Sequence, residues 1–298
     1  MKKILITGID GFTGTYLEER LLKHGYDVYG TVVRSDGHGR HVECDITDRD
    51  AVFECMRRIQ PEYVAHLAAI SFVPHADTAQ IYRVNLLGTL HVLDACAATN
   101  PVPKKIVCAS SANVYGNPGA EPIDENVVPA PVNHYAVSKL SLEHAARQYF
   151  DTLPIVITRP FNYTGPGQAE RFLVPKIVQH FREGKREIEL GNIDIIRDFS
   201  DVRDVVEAYR MLIELGTPSQ TYNICSGRGI SLREILSLAE SAAGYSICVR
   251  VNPAFVRENE IKVLVGDNTK IKTLGWQGKY SIEDTVGSMM AKKLKFES

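Results

Sequence analysis

The chain has no surplus of charge of either sign: 34 basic residues stand against 36 acidic ones. That balance excludes broad attraction to nucleic acid or to an anionic membrane. Any anionic ligand must be met by a few placed arginines or by backbone amides. Long apolar runs are also missing, so neither a membrane span nor an export signal is expected, and Met1-Lys2-Lys3 leads straight into a short apolar segment. None of the six cysteines stands in a Cys-x-x-Cys pair. Most lie in apolar segments, which argues for buried thiols in a reducing compartment rather than disulfides or metal. Low-complexity linkers and internal repeats are absent too. A cytoplasmic, soluble protein of one large or two closely packed domains is expected for 298 residues.

What is present is an alternation of strand and helix patterns. Strands are predicted over 3–7, 28–33, 63–67, 106–109 and 155–158, and helices over 12–24, 48–59, 79–98 and 134–149. Asp48 or Thr47 caps the second helix and Pro61 ends it. Repeated βα units predict an α/β fold with a doubly wound parallel sheet. The rhythm changes after Arg159-Pro160. A helix over about 172–182 comes next, followed by short strands and by helices over 202–215 and 231–243, with a return to the sheet near 221–224. The expected division is a dinucleotide-binding domain over 1–160, joined by about 196–225, and a smaller interleaved substrate domain over 161–298. The site belongs in the cleft between them, beyond the carboxyl ends of the strands.

Thr7-Gly8-Ile9-Asp10-Gly11-Phe12-Thr13-Gly14 follows a strand and opens a helix. Gly8 permits the turn, Gly11 lets backbone approach a pyrophosphate, Gly14 lets helix pack on strand, and the helix N-terminus offers its amides to the phosphates. At the tip of the second strand Arg34 stands where a ribose-binding carboxylate is otherwise expected. It suits a 2′-phosphate and favours NADP(H), while Asp36 nearby keeps NAD(H) open. Asp45, after the third strand, either accepts from the adenine amino group or serves as a turn residue, and Ile46 would cover a ring face. Leu67-Ala68-Ala69, ending the fourth strand, would let backbone run close to the cofactor.

Tyr135 and Lys139 lie one helical turn apart, so the ammonium is placed to favour the phenolate. Ser111, just past the 106–109 strand, can hydrogen-bond a substrate oxygen beside that phenol. With a nicotinamide these parts constitute an oxidoreductase: hydride goes to a carbonyl carbon and Tyr135 supplies the proton. His38-x-x-His41, with Glu43 and Cys44 close behind, has a metal-like spacing, but Gly37 and Gly39 suggest a mobile loop and the residues that follow should enter the third strand and point to opposite faces, so no metal site is expected. Trp276 is expected to anchor the C-terminal segment.

The glycine loop, Ser110-Ser111-Ala112-Asn113-Val114-Tyr115-Gly116 and Tyr-x-x-x-Lys together resemble the extended short-chain dehydrogenase/reductase family, Rossmann-fold enzymes of nucleotide sugars. The resemblance covers nearly the whole chain and implies the triad Ser111, Tyr135 and Lys139. It also implies cofactor contacts from Phe12, Thr13, Ser110 and Pro160. The segments that begin at Ser71, Asn85, Arg159, Gly191 and Tyr222 look most like GDP-4-keto-6-deoxy-D-mannose reductases, which make GDP-D-rhamnose. GDP-mannose 4,6-dehydratases are close, but their extra carboxylate is replaced here by Asn113, which cannot carry a proton to or from carbon. Epimerases share the triad and stay open, and a non-catalytic NADP sensor is the remaining reading. A nucleotide-diphosphate sugar would then meet Ser71, Phe72, Asn162, Arg197 and Arg257. Arg197 and Arg257 would otherwise form ion pairs with Asp198 and with Glu258 or Glu260. Val174 and Lys176 would line the base or ribose pocket, or else belong to core and surface. The resemblance further implies a homodimer through a four-helix bundle of the 79–98 and 134–149 helices.

Overall fold

The computed structural model describes residues 2–35, 37–71, 77–119, 121–256 and 261–291. Asp36, Phe72, Arg257, Glu258 and Glu260, all named above, lie outside the described residues. The first half runs β1 (Lys2–Thr7), α1 (Phe12–Lys23), β2 (Tyr26–Val32), β3 (His41–Glu43), α2 (Arg49–Ile59), β4 (Tyr63–His66), α3 (Thr78–Tyr82), α4 (Gly88–Ala98), β5 (Lys105–Ala109), α5 (His134–Arg147) and β6 (Ile155–Pro160). The second half adds β7 (Asn162–Thr164), α6 (Leu173–Arg182), β8 (Glu187–Leu190), β9 (Ile196–Asp201), α7 (Val202–Leu215), β10 (Thr221–Ile224) and β11 (Gly229–Ser231). It ends with α8 (Leu232–Ala243), β12 (Cys248–Val251), β13 (Val263–Leu264), α9 (Thr269–Lys272) and α10 (Ile282–Ala291).

Local chemistry sets many of these boundaries. Asp48 caps α2 by accepting from the Asp50 and Ala51 amides at 3.0 and 3.1 Å. Asn133 caps α5 through Ala136 N–H at 2.9 Å, and Ser231 and Glu234 form a reciprocal capping box on α8. Apolar runs such as Ile4-Leu5-Ile6 are buried on both faces of a seven-stranded parallel sheet ordered β10-β6-β5-β4-β1-β2-β3. This is the Rossmann-type doubly wound fold, with β10 returning beside β6 as its sequence position predicts.

One face of the sheet is covered by α1 and α7, where Leu17, Leu21, Val205 and Tyr209 pack with Trp276. Trp276 is 1% exposed and its indole donates to the Asp204 carbonyl, so it anchors the C-terminal segment as expected. The other face is covered by α2, α4 and α5. A separate core joins α6, α8 and α10 around Ile177, Phe181, Ile235 and Val286. Among the described residues no helix is long and apolar enough to cross a membrane.

Two expectations change. The helix predicted over 79–98 is interrupted by a π-turn at Arg83–Leu87, because Asn85 turns inward instead of outward. Its amide brackets Ile70, accepting from the Ile70 N–H at 2.8 Å and donating to the Ile70 carbonyl at 3.1 Å. The second concerns His38 and His41, whose rings come together where no metal-like cluster is expected from the sequence. Their centroids stand 4.2 Å apart, because His41 N–H donates to the His38 carbonyl at 2.9 Å and closes a turn before β3 begins.

Candidate active site

The glycine loop sits at the carboxyl end of β1. Gly8 has φ +69°, and a Cβ there would stand 2.9 Å from the Ala68 Cα, so this position requires glycine and brings Ala68 against the loop. A Cβ at Gly14 would lie 2.4 Å from the Gly8 carbonyl oxygen, which is why α1 can pack so close to its own turn. No side chain caps α1 at Gly11, so the amides of its first turn are open to an anion. Phe12 stacks on Tyr163, with centroids 6.2 Å apart, and Thr13 shares a 2.7 Å hydrogen bond with the Tyr163 hydroxyl. The residues present therefore fit a dinucleotide.

Arg34 is exposed just beyond the end of β2, and Leu67 and Ala69 are half-buried beside Ala68 after β4. Asp45 takes up the turn role: its Oδ1 accepts from both the N–H and the hydroxyl of Thr47 at 2.8 Å. Ile46 is buried against α4, its Cδ1 only 2.6 Å from where a Cβ at Gly88 would stand.

Tyr135 opens α5, and Ser111 begins the turn after β5. Ser111 Oγ accepts from the backbone and side-chain amides of Asn113, both at 3.2 Å. Burial pushes the Tyr135 phenol up to about 12, and hydrogen bonding to Ser111 partly opposes it. Lys139 Nζ donates to the Ala109 carbonyl at 2.7 Å, and burial pushes its ammonium down to about 8. Desolvation opposes the phenolate in the chain alone, and the Lys139 ammonium one turn away is the group placed to favour it. At neutral pH Tyr135 is an acid and Lys139 retains its charge.

Buried polar groups that the sequence reading missed lock this centre in place. Thr7 Oγ1 accepts from the Leu67 and Ala68 amides, so its proton goes to His66 Nδ1 at 2.8 Å. Thr89 gives its proton to the Asn85 carbonyl, so it accepts from His66 Nε2–H at 2.8 Å. That ordering fixes one tautomer, and burial, with the Lys139 charge second, holds the imidazole down at about 3 and neutral. Asn85 also donates to Ser138 Oγ at 3.0 Å, and Ser138 in turn donates to the Tyr135 carbonyl at 2.7 Å.

One turn beyond Lys139, Glu143 accepts from Arg159 Nε and Nη2 at 2.8 and 2.7 Å and from Ser110 Oγ at 2.7 Å. The Arg159 guanidinium lies 4.8 Å from the Tyr115 ring centroid. This buried knot joins α5 to the ends of β5 and β6. Its signal was the continued spacing Tyr135, Lys139, Glu143 on one helix face.

Pro160, expected at the cofactor, is buried at the end of β6. The proposed substrate residues divide: Asn162 on β7 and Ser71 retain exposure. Arg197 Nη1 donates to the Ile196 carbonyl at 2.9 Å. Asp198 points to the opposite face and accepts from Ser226 Oγ at 2.6 Å and from the Ser226 and Gly227 amides. The anticipated Arg197–Asp198 pair is therefore replaced, since adjacent strand residues face opposite ways. Val174 belongs to the α6–α8–α10 core at 1% exposure and is corrected from pocket to packing. Lys176 donates to the Glu189 carbonyl at 2.7 Å and lies over the Phe255 ring.

Comparison with known proteins agrees with this geometry. A model of the GDP-mannose 4,6 dehydratase family matches residues 5–289. The chain is 35% identical to a GDP-6-deoxy-D-talose 4-dehydrogenase of Aggregatibacter actinomycetemcomitans, over 90% of each chain. It is 30% identical to a GDP-6-deoxy-D-mannose reductase of Pseudomonas aeruginosa, over 97% of this chain and 96% of that one. A provisionally assigned epimerase of Burkholderia cenocepacia J2315 superposes with a TM-score of 0.90 at 42% identity, over 97% of both chains. RMD of Pseudomonas aeruginosa, solved with NADPH, gives 0.86 at 30% identity over 98% of both. On matched length and on two relatives at or above 30% identity, this chain belongs to the GDP-mannose 4,6 dehydratase family.

Proposed function

We propose that the chain uses NADPH to reduce the 4-keto group of a GDP-4-keto-6-deoxyhexose, giving a GDP-6-deoxyhexose such as GDP-D-rhamnose. The observation that carries this reading is the placement of Tyr135, buried at the head of α5 beside Ser111 with Lys139 one turn behind it. A bound nicotinamide supplies the hydride. Ser111 holds the ketone oxygen, Tyr135 delivers its proton to that oxygen, and the Lys139 charge stabilises the phenolate left behind. Gly11 and the open α1 amides would receive the pyrophosphate, in the tight turn that Gly8 and Gly14 make possible, and Arg34 would receive the 2′-phosphate. Arg197, with Arg257, would meet the sugar-nucleotide diphosphate through guanidinium forks. Asn113 offers no carboxylate, so elimination is not part of the reaction.

The names of the two curated relatives denote 6-deoxy sugars that differ in configuration at C4, and oxidation at C4 converts both to one ketone. This supports the substrate class and leaves the product's C4 configuration to be read by NMR. Incubation with NADPH and the GDP-keto sugar should consume one NADPH per sugar reduced. The Burkholderia cenocepacia match favours a second reading, a nucleotide-sugar 4-epimerase. Inversion at C4 of a nucleotide sugar that carries a 4-hydroxyl, with no net change in cofactor and no reduction of the keto sugar, would establish that reading and defeat the first.

Two further outcomes follow from the same residues. The charged form of Lys139 exists below about 8 and is lost above it. kcat/KM for NADPH, which reports the free enzyme, should therefore be level near neutrality and fall as pH rises through that value. Arg34→Ala should raise KM for NADPH about tenfold, the loss of one charge-assisted contact, and leave KM for NADH unchanged. Steady-state kinetics with both cofactors checks this.

The division into a cofactor part (1–160 with about 196–225) and a substrate part belongs to the same proposal, as do cytoplasmic action and homodimerisation. Along α4, Ala97 and Ala98 are exposed and available to a partner, whereas Ala95, Ala136 and Ala146 are already buried within the chain. Light scattering at twice the chain mass supports a dimer.

A further inference from the structure

Away from the proposed active site, Glu18 on α1, His38 before β3 and His41 at its start bring one carboxylate oxygen and two imidazole nitrogens within 4.8 Å of one another. His41 Nε2 stands 3.3 Å from Glu18 Oε1, with both side chains mostly buried. The turn that closes from His41 N–H to the His38 carbonyl puts both imidazoles on the α1 side. Arg40, between them, is directed elsewhere: it pairs with Asp27, and its guanidinium lies 5.7 Å from the Tyr29 ring centroid. Register holds the turn, since His41 pairs with Gly30 and the Gly30 amide donates to the Arg40 carbonyl at 3.1 Å.

The position has a physical rationale. Strands β2 and β3 are parallel, and a parallel pair ordinarily needs a crossover of about a dozen residues or more, usually a helix. Here residues 33–40 make the connection with no helix among those described. The loop therefore depends on side chains to hold it against α1, and Glu18 with the two histidines supplies that tether. Two imidazoles and a carboxylate from two separate elements are a donor set for a divalent transition metal, with water completing the shell.

We propose that Glu18, His38 and His41 form a divalent transition-metal site, of the kind that takes Zn²⁺ or Co²⁺, which clips the β2–β3 loop and edge strand β3 onto α1. The three side chains take no part in the proposed chemistry, although the loop they clip also carries Arg34. Binding to the folded state alone also stabilises it by mass action, so the melting temperature must rise with metal concentration.

The test uses the untagged full chain, freed of metal with chelator and titrated with Co²⁺. One equivalent should bind with a visible ligand-field band that Zn²⁺ abolishes, and Zn²⁺ should raise the Tm in a saturable way. The double variant His38→Ala/His41→Ala should lose both responses while keeping the circular dichroism spectrum of the parent. Glu18→Gln should weaken binding at least tenfold. Cys248→Ser, which removes the exposed cysteine, should keep the band. If no stoichiometric binding occurs, or the double variant binds as the parent does, the three side chains are only a hydrogen-bonded staple and the proposal is overturned. Loss of the band in Cys248→Ser alone would likewise refute it.

Discussion

Tyr135→Phe is expected to lower kcat for ketone reduction by about 10²–10⁴, the usual scale of a positioned general acid, with the fold and NADPH affinity unchanged. The ring remains to fill its buried place at the head of α5, and only the hydroxyl is removed. Ser111 still meets the ketone, but no proton arrives as the alkoxide develops. Because the hydroxyl acts on the transferred proton and not on binding, the loss should fall on kcat more than on KM. Stopped-flow reduction with a fluorescence titration of NADPH separates the two. A variant that retains activity within about threefold of the parent would remove Tyr135 from the chemistry.

The second large effect concerns stability. Glu143→Ala is expected to destabilise the protein by about 3–5 kcal/mol, because it leaves the Arg159 charge buried without its partner. Glu143 is fully buried, and the Arg159 side chain is 3% exposed. Typical domains hold only about 5–15 kcal/mol in total, so the variant sits near the edge of folding. Glu143→Gln, which can still accept from Ser110 and Arg159, should recover part of the loss. Urea denaturation of the three proteins, compared at equal m-values, is the measurement. A loss under about 1 kcal/mol for Glu143→Ala would mean that Arg159 finds compensation elsewhere.

What was legible in the sequence was the chemistry carried by local spacing. The glycine loop, the pair Tyr135 and Lys139, and Ser111 are each fixed by neighbours a few residues away. Strand and helix alternation likewise announced the parallel sheet, and even the return of β10. Groups whose roles depend on distant partners could not be read in that way. Glycine at position 30 is required because the Ile9 side chain fills the space where its Cβ would stand. Asn85 looked like one polar residue in a long helix, but pairing with Ile70 across the fold opens a π-turn there. Val174 was ambiguous because helix position alone cannot separate a pocket wall from a core facing α8 and α10. The cluster of His38 and His41 is hidden for the same reason, since its third member, Glu18, lies on α1, distant in sequence. Desolvation of the phenol is hidden for a related reason: a lysine at i+4 is visible in sequence, whereas burial is a property of everything packed around the ring.

The account turns on hydride reaching a sugar C4 while this chain provides the proton. Reaction of the GDP-4-keto-6-deoxyhexose with NADPH deuterated at the transferred position tests it directly. The account predicts one deuterium at C4 for every cofactor oxidised, in a single C4 configuration visible by proton NMR. Keto sugar recovered unreduced, with no deuterium at C4 and the cofactor still reduced, would contradict it.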